Sequence, residues 1–141
     1  MGVDRYNHEG YLDPTAYEAM KNMNDEMKSD KRKVVFICSP FAGDIEGNKR
    51  RARRYGRFAI TKDTVPFIPH LLYPQLLDEH DTEERDLGIG LGLRMLSLCS
   101  EMWVFGDRIS SGMAVEIKKA KALKIPIKYY TIQCRSRKEV E

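Results

Sequence analysis

The sequence predicts an α/β fold, a Rossmann-like or flavodoxin-like three-layer sandwich with four to five mostly parallel strands. Uninterrupted apolar runs at residues 34–38 and 102–105 are typical of strands that helices cover on both faces. An amphipathic helical pattern follows each of these runs. Strand–helix alternation of this kind favours a parallel sheet with helices on both sides.

The pattern predicts each element in chain order. Strands are expected at residues 34–38, 65–68, 102–105 and 125–130, and helices at 45–60, 83–98 and 112–123. Asp13 and Pro14 are typical of a helix start, which predicts one further helix over residues 13–28. The chain therefore divides into an N-terminal helical extension (1–33), an α/β domain (34–132) and a charged tail (133–141) that we expect to fray.

Composition limits the class of protein. The chain has 141 residues, 42% hydrophobic and 32% charged, which is ordinary for one soluble globular domain. No apolar run approaches the roughly 18 residues of a membrane span, and the N-terminus lacks the apolar core of a signal peptide. The three cysteines are odd in number and widely spaced, which favours a reducing cytoplasm. Neither a membrane nor a secreted location is expected.

No metal or organic cofactor is expected. The cysteine spacing does not match a zinc site. The glycines at 88, 90 and 92 do not form a dinucleotide fingerprint, because no strand precedes them and the spacing breaks at Met95. Glycine inside a helix costs up to about 1 kcal/mol relative to alanine, so these residues indicate close packing on another helix. We expect the helix at 83–98, with its stripe of Leu87, Leu91, Met95 and Leu98, to form a homo-oligomer interface.

The helix at 45–60 carries six basic residues, Lys49, Arg50, Arg51, Arg53, Arg54 and Arg57. Such a run is an electrostatic footprint for RNA or DNA in some proteins and a solvated face in most. The net charge of +3 argues neither for nor against nucleic acid by itself. An acidic stretch at 78–86 offsets the basic run, so a solvated face is favoured and a nucleic-acid partner is not expected. Arg50 or Arg51 is a candidate contact to a substrate phosphate instead.

Glu116 is the candidate catalytic residue. At about 100° per residue, it falls within the apolar arc of its helix, which consists of Met113, Ile117, Ala120 and Leu123. A carboxylate on a core-facing side is costly unless it is used or satisfied. Either the chemistry uses Glu116, or neighbouring groups hydrogen-bond it.

Further candidates lie where the predicted strands end, because ligands bind at the carboxyl edge of such sheets. The loop after the first strand is positioned to hold an anion with its backbone N–H groups. Asp107 follows the third strand, and His70 follows the second. The candidate substrate-binding residues are Ser39, Pro40, Phe41, Ala42, Gly43, His70, Ser110, Ser111, Gly112 and Met113.

One segment resembles a known signature. Residues 111–117, Ser-Gly-Met-Ala-Val-Glu-Ile, are followed by Ala120 and by Lys-Ile-Pro-Ile at 124–127. This resembles the signature of the nucleoside 2-deoxyribosyltransferase superfamily, a Ser/Asp-x-G-x-x-x-E-x-x-x-A helix followed by a G-K-P-V-like strand. Fold does not fix function, so the resemblance is more specific for the fold than for the activity.

Two other segments resemble an uncharacterised phage and bacterial branch of that superfamily. They are residues 35–41, Val-Phe-Ile-Cys-Ser-Pro-Phe, together with Asn48, and residues 66–70, Pro-Phe-Ile-Pro-His. The resemblance extends over residues 34–130 and leaves the predicted N-terminal helix outside.

The resemblance implies that Glu116 attacks C1′ of a deoxyribose and forms a covalent glycosyl–enzyme intermediate. Phe36 stands where the transferases of the superfamily carry Tyr, and Ser110 stands where they carry Asp. Serine at that position resembles the deoxynucleoside 5′-monophosphate N-glycosidases, in which it contacts the 5′-phosphate, and the Cys38-Ser39 strand end is similar too. The implied partner is therefore a small-molecule nucleotide or nucleoside, and hydrolysis is favoured over transfer.

The group that protonates the leaving base is open among Asp107, His70 and Asp86, with Asp107 the first candidate for a catalytic role. The alternative function is a catalytically inactive nucleotide-binding or sensor module of the same fold. An RNA-binding adaptor that uses the basic helix ranks third.

Overall fold

The computed structural model describes residues 30–139 and Glu18, which lies in a helix. The other residues of the helix predicted over 13–28 lie outside the described part. The chain divides into two units, Met1–Lys31 and Arg32–Glu141. The architecture below is that of the second unit.

A five-stranded sheet with the order β2-β1-β3-β4-β5 forms the centre of this unit. Its strands are β1 (Val34–Cys38), β2 (Val65–Phe67), β3 (Glu101–Phe105), β4 (Ile127–Tyr130) and β5 (Ser136–Arg137). The first four are parallel, and β5 is antiparallel to β4. This arrangement confirms the predicted α/β class with a mostly parallel sheet.

Four helices connect the strands, together with a 3₁₀ turn at Tyr73–Gln75. They are α1 (Ile45–Thr61), α2 (Pro69–Leu72), α3 (Thr82–Leu96) and α4 (Ser111–Ala122). The predicted bounds of the strands and long helices differ from these by no more than two residues. None of the described helices is both long enough and apolar enough to cross a membrane.

A side-chain cap starts each of the three long helices. The carboxylate of Asp44 accepts a hydrogen bond from Gly47 N at the start of α1, and Asp81 caps α3 in the same way. The hydroxyl of Ser110 accepts from Met113 N at the start of α4. Such caps satisfy N–H groups that have no partner within the helix, so they fix where each helix begins.

Helices cover both faces of the sheet, as the apolar strands require. On one face, α1 packs Tyr55 and Ala59 against Val35, Trp103 and Phe105. On the other face, α3 and α4 pack against the sheet through a second apolar cluster, made of Phe36, Cys38, Leu96, Cys99, Met102, Val104, Met113, Ile117 and Ala120. The helices on these two faces are the outer layers of the predicted three-layer sandwich, and the sheet is its central layer.

Residues 133–139 contradict the expectation that the tail, predicted over 133–141, frays. A turn after β4, closed by hydrogen bonds from Cys134 N to Thr131 O and from Thr131 N to Arg135 O, reverses the chain. Residues 136–137 then pair with β4. Their polar side chains carry no strand signal, because β5 is an edge strand held by backbone hydrogen bonds.

Helix α3 packs on the rest of the chain through a different face from its leucine stripe. Gly88 and Gly92 lie against Leu77 and Pro69, so these glycines allow close approach of the 69–77 segment of the same chain. The stripe itself faces outward, with Leu87 52% exposed and Leu98 61% exposed.

Glu101 is a buried carboxylate at the amino end of β3 that is fully satisfied. Its oxygens accept hydrogen bonds from Lys33 Nζ at 2.8 Å and from the indole Nε1 of Trp103 at 2.9 Å, and Lys128 Nζ lies 3.3 Å away. Burial opposes the charge, but the donors outweigh it and lower the pKa of Glu101 to about 2.

We expect Glu101→Gln to lower the free energy of unfolding by about 2 kcal/mol at neutral pH, a typical contribution of hydrogen bonds to a charged group. Because the native pKa lies below that of an unfolded glutamate, this stability is present above about pH 5 and is lost as the pH falls towards about 2. Urea denaturation at neutral and acidic pH measures the difference. The exposed Glu46→Gln is the control, and an undiminished difference at acidic pH would contradict the assignment.

Candidate active site

The candidate site lies where β1 and β3 end side by side. These neighbouring strands pair in parallel, with Cys38 opposite Val104. The chain leaves β1 through α1 on one face of the sheet and leaves β3 through α4 on the other face. The two connections therefore diverge at the carboxyl edge. In doubly wound sheets such a divergence forms the ligand-binding crevice, so this edge is the candidate position for one here.

Glu116 lies on the buried side of α4, as the helical projection predicts. The residue is 8% exposed, and its Oε1 atom has no hydrogen-bond partner among the described residues. Burial raises the pKa of Glu116 to about 8, and the thiol of Cys38 acts in the opposite direction as a hydrogen-bond partner. The site thus holds a carboxyl group that is costly to bury and is left unsatisfied.

The loop after β1 is braced from α1. The side-chain amide of Asn48 donates to the carbonyls of Phe41 (2.9 Å) and Ala42 (3.1 Å). Arg51 donates in turn to Asn48 Oδ1 at 2.8 Å, so it supports the loop from behind. Gly43 has a φ of 93°, a conformation that favours glycine.

Ser39 begins this loop and is 1% exposed, and its Oγ atom has no partner among the described residues. Pro40 follows it and is partly buried. An unpaired hydroxyl oxygen at the carboxyl edge is a candidate ligand contact, because buried polar atoms are normally hydrogen-bonded.

His70 lies beside the same loop. Its Nε2 atom is 2.8 Å from the carbonyl oxygen of Ser39, and its ring lies 4.9 Å from the ring of Phe41. Burial lowers the pKa of His70, so the neutral ring donates its Nε2–H to Ser39. The tautomer that makes this bond carries no proton on Nδ1. His70 therefore orients the loop and is poorly suited to protonate a leaving base.

The first turn of α4 lies on the other side of the crevice. The hydroxyl of Ser110 accepts from Met113 N at 3.2 Å and keeps its own proton free to donate. Ser111 and Gly112 are exposed, and N–H groups in a first helical turn attract anions. The Met113 side chain is only 1% exposed and packs in the core, so substrate contact through that side chain is not supported.

None of the three proton-donor candidates is hydrogen-bonded to Glu116 among the described residues. Asp107 is exposed in the turn after β3, directly after Gly106, which has a φ of 112°. Asp86 is exposed on α3. Among residues 30–139, no hydrogen bond joins either aspartate to Glu116. Arg51, a candidate phosphate contact, pairs instead with Asn48 and Asp44.

Sequence reasoning missed the bracing role of Asn48 and the position of Cys38 beside Glu116. The role of Asn48 could have been inferred from its place on the buried side of α1, since a buried amide needs hydrogen-bond partners. Within the described part of the chain, no group of three or more His, Cys, Asp or Glu residues is arranged to hold a metal ion.

The profile of a protein family described as a domain of unknown function, DUF7768, matches residues 33–130. The chain belongs to this family. The fold of this DUF7768 member also resembles that of the 2-deoxyribosyltransferase from the psychrotolerant bacterium Bacillus psychrosaccharolyticus, with a TM-score of 0.60 and 14% sequence identity over 77% of each chain. That protein is described as a biocatalyst for the synthesis of nucleosides. No curated protein matches the sequence.

The structural likeness confirms the fold that the 111–117 signature predicts. At 14% identity it concerns the fold alone. The assignment of roles to individual residues depends on the local chemistry of the crevice.

We expect Glu116→Gln to stabilise the protein. The native pKa of Glu116 lies above that of an unfolded glutamate, so the wild-type protein loses stability as the pH rises from about 4 towards about 8. Glutamine removes that loss, by an amount on the order of 3 kcal/mol at mildly alkaline pH. Urea denaturation at about pH 5 and about pH 8.5 measures it.

Glu101→Gln is the internal comparison, because it should lower the free energy of unfolding, whereas Glu116→Gln should raise it. A Glu116→Gln variant that is less stable than the wild-type protein at both pH values would show that the carboxylate is satisfied in solution.

Proposed function

We propose that this protein cleaves the N-glycosidic bond of a (deoxy)nucleoside 5′-monophosphate with Glu116 as the nucleophile. The observation that carries the proposal is the buried carboxyl group of Glu116, with one oxygen unpaired, at the crevice between β1 and β3. Such a group is expensive for the fold and suited to attack a sugar carbon. The likeness of the fold to a 2-deoxyribosyltransferase supports the substrate class.

The reaction proceeds in two displacements. A carboxylate oxygen of Glu116 forms a bond to C1′ while the C1′–N bond breaks. The electron pair of the C1′–N bond leaves with the base, and the base takes up a proton. The resulting glycosyl ester is then attacked at C1′ by water. This releases the sugar phosphate and restores Glu116. A second base in place of water gives transfer instead. The resemblance of Ser110 and of the Cys38-Ser39 strand end to the 5′-monophosphate N-glycosidases favours water.

The 5′-phosphate fits the first turn of α4. Ser110 has a free hydroxyl proton, and the N–H groups of Ser111 and Gly112 are exposed next to it. The loop of residues 39–43 closes the opposite side, held by Asn48. A phosphate at this helix terminus gains charge-assisted hydrogen bonds, which supports a nucleotide over a free nucleoside.

Asp107 is the proposed proton donor because it follows β3 at the same edge. His70 and Asp86 are weaker choices, the first because its Nε2–H is already donated to Ser39. Free thiols at Cys38, Cys99 and Cys134 fit a reducing compartment, so we place the reaction in the cytoplasm.

A nucleotide-binding module without turnover is the second candidate. The observation that favours it is the exposed position of Asp107, since none of the described acidic side chains is held beside Glu116 as a proton donor. Binding needs only the loop and the α4 terminus, whereas cleavage also needs a proton for the base.

We expect the wild-type protein to release free base from at least one nucleoside 5′-monophosphate, measured by chromatography over a panel of nucleosides and monophosphates. Glu116→Gln should reduce the rate at least about 10³-fold, as expected for loss of a nucleophile. Intact-mass measurement after acid quench should detect the glycosyl adduct on the wild-type protein only.

Ser110→Ala is the matched control for substrate class. It should weaken cleavage of the monophosphate more than cleavage of the nucleoside. If the protein binds a monophosphate but releases no base from any substrate, the proposed cleavage is wrong and the nucleotide-binding module is favoured.

We also propose that the protein forms a homo-oligomer through α3. Leu87 and Leu91 on α3 and Leu98 just after it are exposed. Leu76, in the segment that precedes α3, is 68% exposed. Several exposed leucines grouped on one surface are typical of an interface. Gly90 lies in the open among these residues and leaves room for a second helix.

We expect Leu87→Glu combined with Leu91→Glu to convert the oligomer to a monomer in light scattering at micromolar concentration, because charged residues are costly in an apolar interface. The control is Ile60→Glu, at an apolar position on α1 that is more exposed than either leucine. A monomeric wild-type protein would contradict this proposal without affecting the proposed chemistry.

A further inference from the structure

The thiol of Cys38 lies at the carboxyl end of β1 and faces the first turns of α4. The residue is fully buried. Its Sγ atom lies 3.9 Å from the carbonyl oxygen of Met113, one helical turn before Glu116. A contact of this length is at the limit of a hydrogen bond to sulfur, so this carbonyl holds the thiol proton only weakly.

The carboxyl group of Glu116 lies one helical turn further along α4 on the same buried side as Met113, and the thiol and the carboxyl group are close enough that each changes the pKa of the other. Among the described residues, Cys38 is the one titratable group that acts on Glu116. Tyr129 of β4 packs against the apolar cluster that contains Cys38, and His70 is directed to the carbonyl of Ser39. Phe36 lies two residues earlier on the same face of β1 and offers no donor.

The thiol remains a donor when the carboxyl group ionises. Burial raises the pKa of Cys38 well above its ordinary value, and the neighbouring Glu116 raises it further. The sulfur therefore keeps its proton over the range in which Glu116 loses its own. A proton donor of this kind stabilises the carboxylate form, which is the form that attacks.

We propose that Cys38 is a positioning residue for Glu116, whose S–H donates to one carboxylate oxygen, orients the other towards the crevice and favours the ionised form. The catalytic consequence depends on the proposed function, in which Glu116 is the nucleophile. The contact itself does not depend on it.

The first experiment is the pH dependence of kcat/KM for release of base. Cys38→Ala should move the midpoint of the rising limb up by about half to one pH unit, the equivalent of one hydrogen bond. Activity at neutral pH should then fall by roughly 3- to 10-fold, with little difference above the midpoint. Cys38→Ser, which restores a donor, should return the midpoint to the wild-type value or below it.

Cys99→Ala is the matched control, because Cys99 is a buried thiol of the same apolar cluster that donates to Met95 O instead. It should leave the midpoint unchanged. A Cys38→Ala profile that is lowered equally at every pH, or a shift of the same size in Cys99→Ala, would overturn the positioning role.

The second experiment needs no substrate. Infrared difference spectra between the wild-type protein and Cys38→Ala isolate the S–H stretch of Cys38, whose frequency falls as its hydrogen bond strengthens. This band should move to lower frequency as the pH rises through the titration of Glu116, and it should stay fixed in Glu116→Gln. A band that is independent of pH in the wild-type protein would overturn the proposal, whereas failure to release base with a moving band would overturn only the proposed function.

Discussion

The parallel pairing of β1 with β3 is the constraint on which the rest of the structure depends. Both strands are covered on two faces, so polar side chains on them are rare and appear where the strands end, as with Ser39 and Asp107. The crossovers leave this pair in opposite directions, since right-handed connections carry α1 and α4 to opposite faces. The crevice is therefore a consequence of topology, and the residues in it follow from where the two strands stop.

The two buried glutamates show how differently one fold treats the same side chain. Glu101 has three donors around it, and its pKa is lowered to about 2. Glu116 has an oxygen with no partner, and burial raises its pKa to about 8. The first carboxylate supports the packing of β3 on its neighbours, and the second weakens the fold. A group that weakens the fold in the ligand crevice is better explained by chemistry than by packing.

The four parallel strands and the buried position of Glu116 could be predicted from the sequence, because both depend on local periodicity. Uninterrupted apolar runs mark β1 and β3, and the 3.6-residue period places Glu116 inward. The period alone did not identify which side of α3 packs on the chain, because Gly88 and Gly92 carry no hydrophobic signal while the leucine stripe carries a strong one. The strand at 136–137 was missed for a related reason, since backbone pairing and not side-chain burial holds it.

The contacts within the site were beyond sequence reasoning, because they join residues far apart in the chain. The pairs of His70 with Ser39 and of Cys38 with Met113 depend on side-chain rotamers and on the exact approach of α4 to β1. These contacts also change the assignment of roles. His70 appeared in the sequence as a possible acid, yet its donated proton makes it a support for the loop.

In the proposed reaction, the raised pKa of Glu116 resolves a conflict that an anionic substrate would create in this crevice. A carboxylate beside the α4 terminus would repel a bound phosphate, whereas a protonated Glu116 does not, so binding favours the acid form. The proposed attack on C1′ requires the ionised form. A pKa of about 8 keeps the neutral form abundant for binding while ionisation near neutral pH costs only about 1 kcal/mol. A buried carboxyl group with one weak donor can be neutral when the phosphate binds and ionised when it attacks. A fully hydrogen-bonded carboxylate such as Glu101 would stay ionised and would therefore suit only the attack.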